Sequence, residues 1–185
     1  MPNVKFINFD VPKDSKLRKY AEQLRDIIKN TEYKEDFISF RDQLFHDCFA
    51  FVKKELKTDK YPVICVEFVY TQAEYERIEK QANQFAYQKE KPKIQTLGFT
   101  ITSNFGNKIY INFEPLLGLL EKNYLTFVFN LVSTLIHEIL HCFYRDSKDE
   151  QATFNLQYKL LEVFLGVTLP DEMKKTKATD YFAFD

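Results

Sequence analysis

At 185 residues the chain has the length of one ordinary domain, and its 45% hydrophobic and 16% aromatic residues are ample for a core. Only 4 Gly and 6 Pro exclude collagen-like and linker-rich chains. A formal charge of -1, from 26 basic and 27 acidic residues, carries no strong nucleic-acid signal.

The N-terminal stretch MPNVKFINFDVPKDSK is neither a basic-then-apolar signal nor an Arg-rich transit segment. Asp14 or Ser15 is placed to cap a helix through Ile28, with Leu17, Ala21, Leu24 and Ile28 at helical spacing. Phe37, Phe40, Leu44, Cys48, Phe51 and Val52 form a second helical stripe that ends in KTDKYP. His46 lies in that helix with no acidic or thiol ligand pattern around it, and reads as a surface or packing histidine. Lys53, Lys54, Lys57 and Lys60 make a modest basic face, interrupted by Glu55 and Asp59.

VICVEFVY, after Pro62, is rich in β-branched and aromatic residues and predicts a strand. TQAE at Thr71–Glu74 is a capping-box pattern, so a charged helix follows to about Lys89. IQTLGFTIT and KIYINF predict two strands joined through SNFGN as a hairpin, with Gly98 allowing a bulge or a close backbone approach. Leu116–Glu121 predicts a short helix, and a long apolar helix follows, ending near Tyr144. Its uncharged stretch YLTFVFNLVSTLI is shorter than a membrane span needs and runs into a His-Glu pair, so it reads as a buried helix. RDSKDE breaks that helix, and Asp146 or Ser147 is placed to cap a last helix over about Lys148–Leu165, closed by Gly166 and Pro170 and followed by a polar, loosely held tail.

Two of the three histidines stand in LIHEILHCF. On a helix, His137 and His141 are one turn apart on the same face, so both imidazoles can meet one zinc ion. Glu138, offset by one residue, can stand beside the metal without ligating it and serve as general base toward a water attacking a carbonyl. That is the physical content of the HExxH pattern. Leaving two imidazoles and a carboxylate without partners among Leu135, Ile136, Ile139 and Leu140 would be costly. A catalytic zinc site needs a third protein ligand and an open position, and the candidates in order are Glu150, Asp149 and Asp146. Acidic residues at a helix N-terminus are the bland alternative for all three. Tyr144, three residues past His141, is a candidate oxyanion stabiliser.

With these motifs the chain resembles a minimal zincin-type metallopeptidase, and most closely the ImmA/IrrE group. The likeness covers about residues 94–170 and rests on three features. They are the Gly-containing strand, a strand ending at Ile111-Asn112 before the metal helix, and Ala152 in a helix followed by Leu169-Pro170. In that family the ligand directly precedes the alanine, where this chain has Gln151; Glu150 stands one position earlier, a rotation of roughly 100° on a helix.

The resemblance implies an α+β, zincin-like fold, a small mixed or antiparallel sheet packed on the HExxH helix, to which the two helical stripes read above add extra N-terminal helices. Residues 1–60 then form a helical segment packed on the core, 61–170 the metallopeptidase core and 171–185 a polar tail. It also implies an edge strand, Tyr110, Ile111 and Asn112, that aligns an extended peptide by strand addition. The function expected is a zinc-dependent endopeptidase with a protein or peptide substrate. The alternatives are an inactive zincin scaffold that binds a peptide or protein partner, and a nucleic-acid-associated accessory protein. Cys48, Cys65 and Cys142 are odd in number and form no CxxC, which favours a reducing compartment, the cytoplasm. No oligomeric state follows from the sequence.

Overall fold

The computed structural model describes residues 4–85, 90–92, 96–120, 122–144, 150–175 and 182–184. The first helix, α1 (Lys16–Ile28), is capped by Ser15, whose Oγ accepts from the Arg18 N–H at 3.2 Å. Its buried side chains are Leu17, Tyr20, Ala21 and Leu24, the expected stripe with Tyr20 added. Helix α2 (Lys34–Glu55) buries Phe37, Phe40, Leu44, Cys48 and Val52 and leaves His46 exposed. Strand β1 (Ile64–Val69) leads into α3 (Gln72–Phe85). A short strand β2 (Glu90–Pro92) precedes the hairpin of β3 (Gly98–Ser103) and β4 (Gly106–Asn112). Gly106 turns that hairpin at a φ of 133°, a conformation only glycine adopts readily.

Helix α4 (Glu114–Leu117) starts two residues before its predicted position, because Pro115 is tolerated in a first helical turn. Asn123 caps α5 (Tyr124–Phe143), its Oδ1 accepting from the Thr126 N–H at 3.0 Å. Helix α6 (Glu150–Leu165) stops at Gly166, whose φ is 68°. The short α7 (Asp171–Lys174) and the strand β5 (Phe182–Phe184) follow. Strand β5 pairs antiparallel with β2, Glu90 opposite Phe184, so part of the tail expected to be loose is hydrogen-bonded instead.

The fold is α+β with a small mixed sheet in the order β1-β4-β3. Strand β4 pairs in parallel with β1, Ile64 opposite Asn107 through Val69 opposite Asn112. On its other side it pairs antiparallel with β3, Gly98 opposite Ile111 through Ser103 opposite Gly106. This corrects the edge-strand expectation. Tyr110, Ile111 and Asn112 lie in the middle strand, with neighbours on both sides, and the sheet's outer strands are β1 and β3. Burial gives the physical reason: residues Ile109 to Phe113 are all buried, as a strand covered on both faces must be. Ile109 and Ile111 join the main core, while Tyr110 packs with Val69 and Tyr75 under α3.

Helix α5 is the axis of the main core, with α1, α2, α6 and the α5-facing side of the sheet packed around it. That explains why its sequence is apolar on nearly every side. It is long and apolar enough to cross a membrane, and 83% of its most apolar window is buried inside the protein. Its buried polar side chains are partnered. Asn130, for example, accepts from the Lys5 N–H and donates to the Lys5 carbonyl, both at 2.8 Å, which docks the extended N-terminal segment along the helix.

Candidate metal centre

Along α5, Ser133, His137 and His141 follow one another at intervals of four and so share one face. Helix α6 packs against that face and presents Glu150, Phe154 and Gln157 from a stripe of its own. The Glu150 Oε1 lies 2.7 Å from His137 Nε2, and its Oε2 lies 3.2 Å from His141 Nε2. The two Nε2 atoms are 3.1 Å apart. The imidazole of His137 is held from behind by Gln157, whose Oε1 is 2.9 Å from Nδ1, and from the side by the Phe154 ring, with centroids 4.7 Å apart.

Two nitrogens and a carboxylate oxygen therefore converge, with all candidate ligand atoms within 4.8 Å of one another. A tetrahedral zinc shell with bonds of about 2.0–2.1 Å sets its donor atoms about 3.3 Å apart. His137 Nε2 stands closer than that to its carboxylate oxygen and to His141 Nε2, and each imidazole faces a different oxygen of Glu150, so the donor set fits a divalent cation after the side chains adjust. Its chemistry fits as well: neutral imidazole and carboxylate suit zinc, and three protein ligands leave a position open.

The electrostatics are those of a cation site. Burial works against a charged imidazole at His137. The Glu150 carboxylate, helped by Glu138 and Gln157, outweighs it and holds that group up at about 9. Burial alone would raise the Glu150 carboxyl, but hydrogen bonds and charge from His137 and His141 bring it well below the usual carboxylate range. The fold thus stabilises a proton held between the two side chains.

Glu138 points to a different neighbour. It is only 4% exposed, and its Oε2 accepts from Thr100 Oγ1 at 2.6 Å, a bond from α5 to the outer strand β3. Gly98, two residues before Thr100 on the same face of β3, lets the helix come this close. A Cβ there would stand 2.7 Å from Thr134 Cγ2 and 3.2 Å from Glu138 Cγ.

Of the three acidic residues weighed as a further ligand, Glu150 is the one seen beside the histidines; Asp146 and Asp149 lie outside the described residues. The neighbouring Gln151 amide donates to Asn155 Oδ1 at 3.1 Å. Tyr144 is 47% exposed at the end of α5 and lines a surface cleft with Leu56, Lys57, Thr58, Asp59 and Lys60.

Thr100, Ser133, Phe154 and Gln157 escaped the sequence reading. Thr100 carried a signal, because strand alternation puts it on the face of Gly98. So did Gln157, two helical turns beyond Glu150. Neither signal says which element lies opposite. No protein-family profile matches the chain, and neither a curated protein nor a solved structure matches it.

Proposed function

We propose that the chain is a zinc-dependent endopeptidase of the zincin type, acting on an extended peptide or protein segment in the cytosol. The observation that carries this reading is the convergence of His137, His141 and Glu150 from two helices, with the buried Glu138 carboxylate next in sequence. His137, His141 and Glu150 would hold the cation. A bound zinc ion supplies Lewis acidity, polarising the scissile carbonyl and making water a better nucleophile.

Glu138 accepts the proton of the attacking water and delivers it to the departing amine, the work of a general base and then a general acid. Thr100 Oγ1 fixes one oxygen of that carboxylate, which limits its rotation and leaves the other for the proton. The substrate-aligning edge in this reading is β3 rather than β4. Strand β3 is outermost on the side of Glu138 and suits pairing with an extended peptide. The cytosolic placement rests on the odd number and wide spacing of Cys48, Cys65 and Cys142.

Metal content of the untagged protein and hydrolysis of an unstructured protein substrate test the proposal, with Glu138→Gln as the decisive variant. The expected result is near-stoichiometric zinc in both proteins and a loss of turnover of about 100-fold or more in Glu138→Gln. Zinc binding with no hydrolysis in the wild type would favour the binding-scaffold alternative. An unmetallated wild type under zinc-replete conditions would end the metalloenzyme reading.

A further inference from the structure

Gln157 is 4% exposed and lies between α5 and α6. Its Nε2 donates to the Ser133 carbonyl at 3.0 Å and to Ser133 Oγ at 2.7 Å, and its Oε1 faces His137 Nδ1 at 2.9 Å. A carbonyl oxygen only accepts hydrogen bonds, so the amide nitrogen must face Ser133 and the amide oxygen must face His137. An amide oxygen also only accepts. The ring nitrogen opposite it must then carry the hydrogen.

We propose that Gln157 is a positioning residue of this centre: it holds His137 with the hydrogen on Nδ1 and so presents the Nε2 lone pair to a divalent cation. The cation belongs to the metal reading above and this inference rests on it there, whereas the assignment of the ring hydrogen stands without a metal. Nε2 is the atom 2.7 Å from Glu150 and 3.1 Å from His141 Nε2, so the orientation set from behind the ring selects the atom that joins the cluster.

The arrangement comes from two helical repeats. Ser133 precedes His137 by one turn of α5, and Gln157 follows Glu150 by two turns of α6. Docking the two helices in one register therefore places a ligand from each and the amide that orients His137. Without an acceptor behind it, the buried ring could place its hydrogen on Nε2, or leave Nδ1–H unsatisfied at a cost of about 1–3 kcal/mol. The Phe154 ring restricts the tilt of the imidazole and offers no acceptor of comparable strength.

Two variants separate orientation from packing. Gln157→Leu keeps approximate size and removes the acceptor, and zinc affinity, measured by chelator competition, is expected to fall about 10- to 100-fold. Gln157→Glu keeps an acceptor toward His137 and loses the donor to Ser133. Its zinc affinity should stay within roughly threefold of wild type while its Tm drops. A purely structural role predicts that affinity and Tm fall together in both variants. Unchanged affinity in Gln157→Leu, or Gln157→Glu binding as weakly as Gln157→Leu, would overturn the proposal.

Nuclear magnetic resonance of the wild type adds a readout that needs no variant to fold. A slowly exchanging proton on His137 Nδ1 is expected in the metal-free and zinc-loaded protein, and its absence would also sink the idea. A wild type that takes up no zinc would count against the metal reading alone. An Nδ1 proton that exchanges slowly in wild type and rapidly in Gln157→Leu, where nothing accepts from it, would still decide the orienting role.

Discussion

His137 and Glu150 meet at 2.7 Å, each only slightly exposed, so in metal-free protein a proton holds them together. The His137 group is raised from 6.5 to about 9 on folding, and the Glu150 group is lowered from 4.5. The raised histidine contributes stability that is fully present below pH 6.5 and lost as pH climbs through about 9. The lowered carboxyl contributes stability present above pH 4.5 and lost as pH falls through its folded value. Metal-free protein should therefore gain most from the pair between pH 4.5 and 6.5. It should lose stability on the order of 3 kcal/mol by about pH 9. Urea denaturation of wild type and His137→Gln at pH 6 and pH 9 measures this, and equal slopes with pH in the two proteins would refute it. Zinc competes with the same proton, so its affinity should rise over the interval in which the metal-free fold weakens.

Among elements, α5 and β3 approach each other closely at Gly98. Thr134 donates its hydroxyl to the Asn130 carbonyl at 2.8 Å, which turns Cγ2 toward Gly98. A methyl group at position 98 would have to occupy space 2.7 Å from that atom, and a β-branched side chain on a helix has little freedom to yield. Gly98→Ala should cost about 1–3 kcal/mol and displace Glu138 from Thr100. Thr134→Ser keeps the hydroxyl and deletes Cγ2, so Gly98→Ala/Thr134→Ser should recover most of the loss. A double-mutant cycle in urea with no coupling between the two positions would show that the close approach is not what glycine serves.

At the scale of the whole molecule, the candidate ligands come together only when α5 and α6 pack, because His141 and Glu150 belong to different helices. A cation that needs all three ligands binds the folded chain far better than the unfolded one. At a free zinc concentration 1,000 times Kd the expected stabilisation is about 4 kcal/mol, a Tm increase of roughly 10 °C for a domain of this size. Differential scanning calorimetry with and without zinc would detect it, and a Tm indifferent to zinc in wild type would argue against a folded-state site. Burial of α5 makes the same point from the side of rigidity: His137, Glu138 and His141 stand on the helix around which the core is built.

What the sequence determined by itself was local. The spacing of His137, Glu138 and His141, the Ser15 cap and the alternation of the hairpin depend on a few consecutive residues, and the helical or strand period displays them directly. Helix boundaries were legible to within a few residues for the same reason. The tertiary structure alone decided what faces what. Glu150 rather than Gln151 reaches the histidines because the packing angle of α6 selects one phase of that helix. Thr100 meets Glu138 across 38 positions and Gln157 meets His137 across 20, separations at which neither residue leaves a periodic trace of its partner. Strand β4 is central because β1, a strand 42 residues earlier by the Ile64–Gly106 count, returns to pair beside it through a crossover that no local pattern encodes.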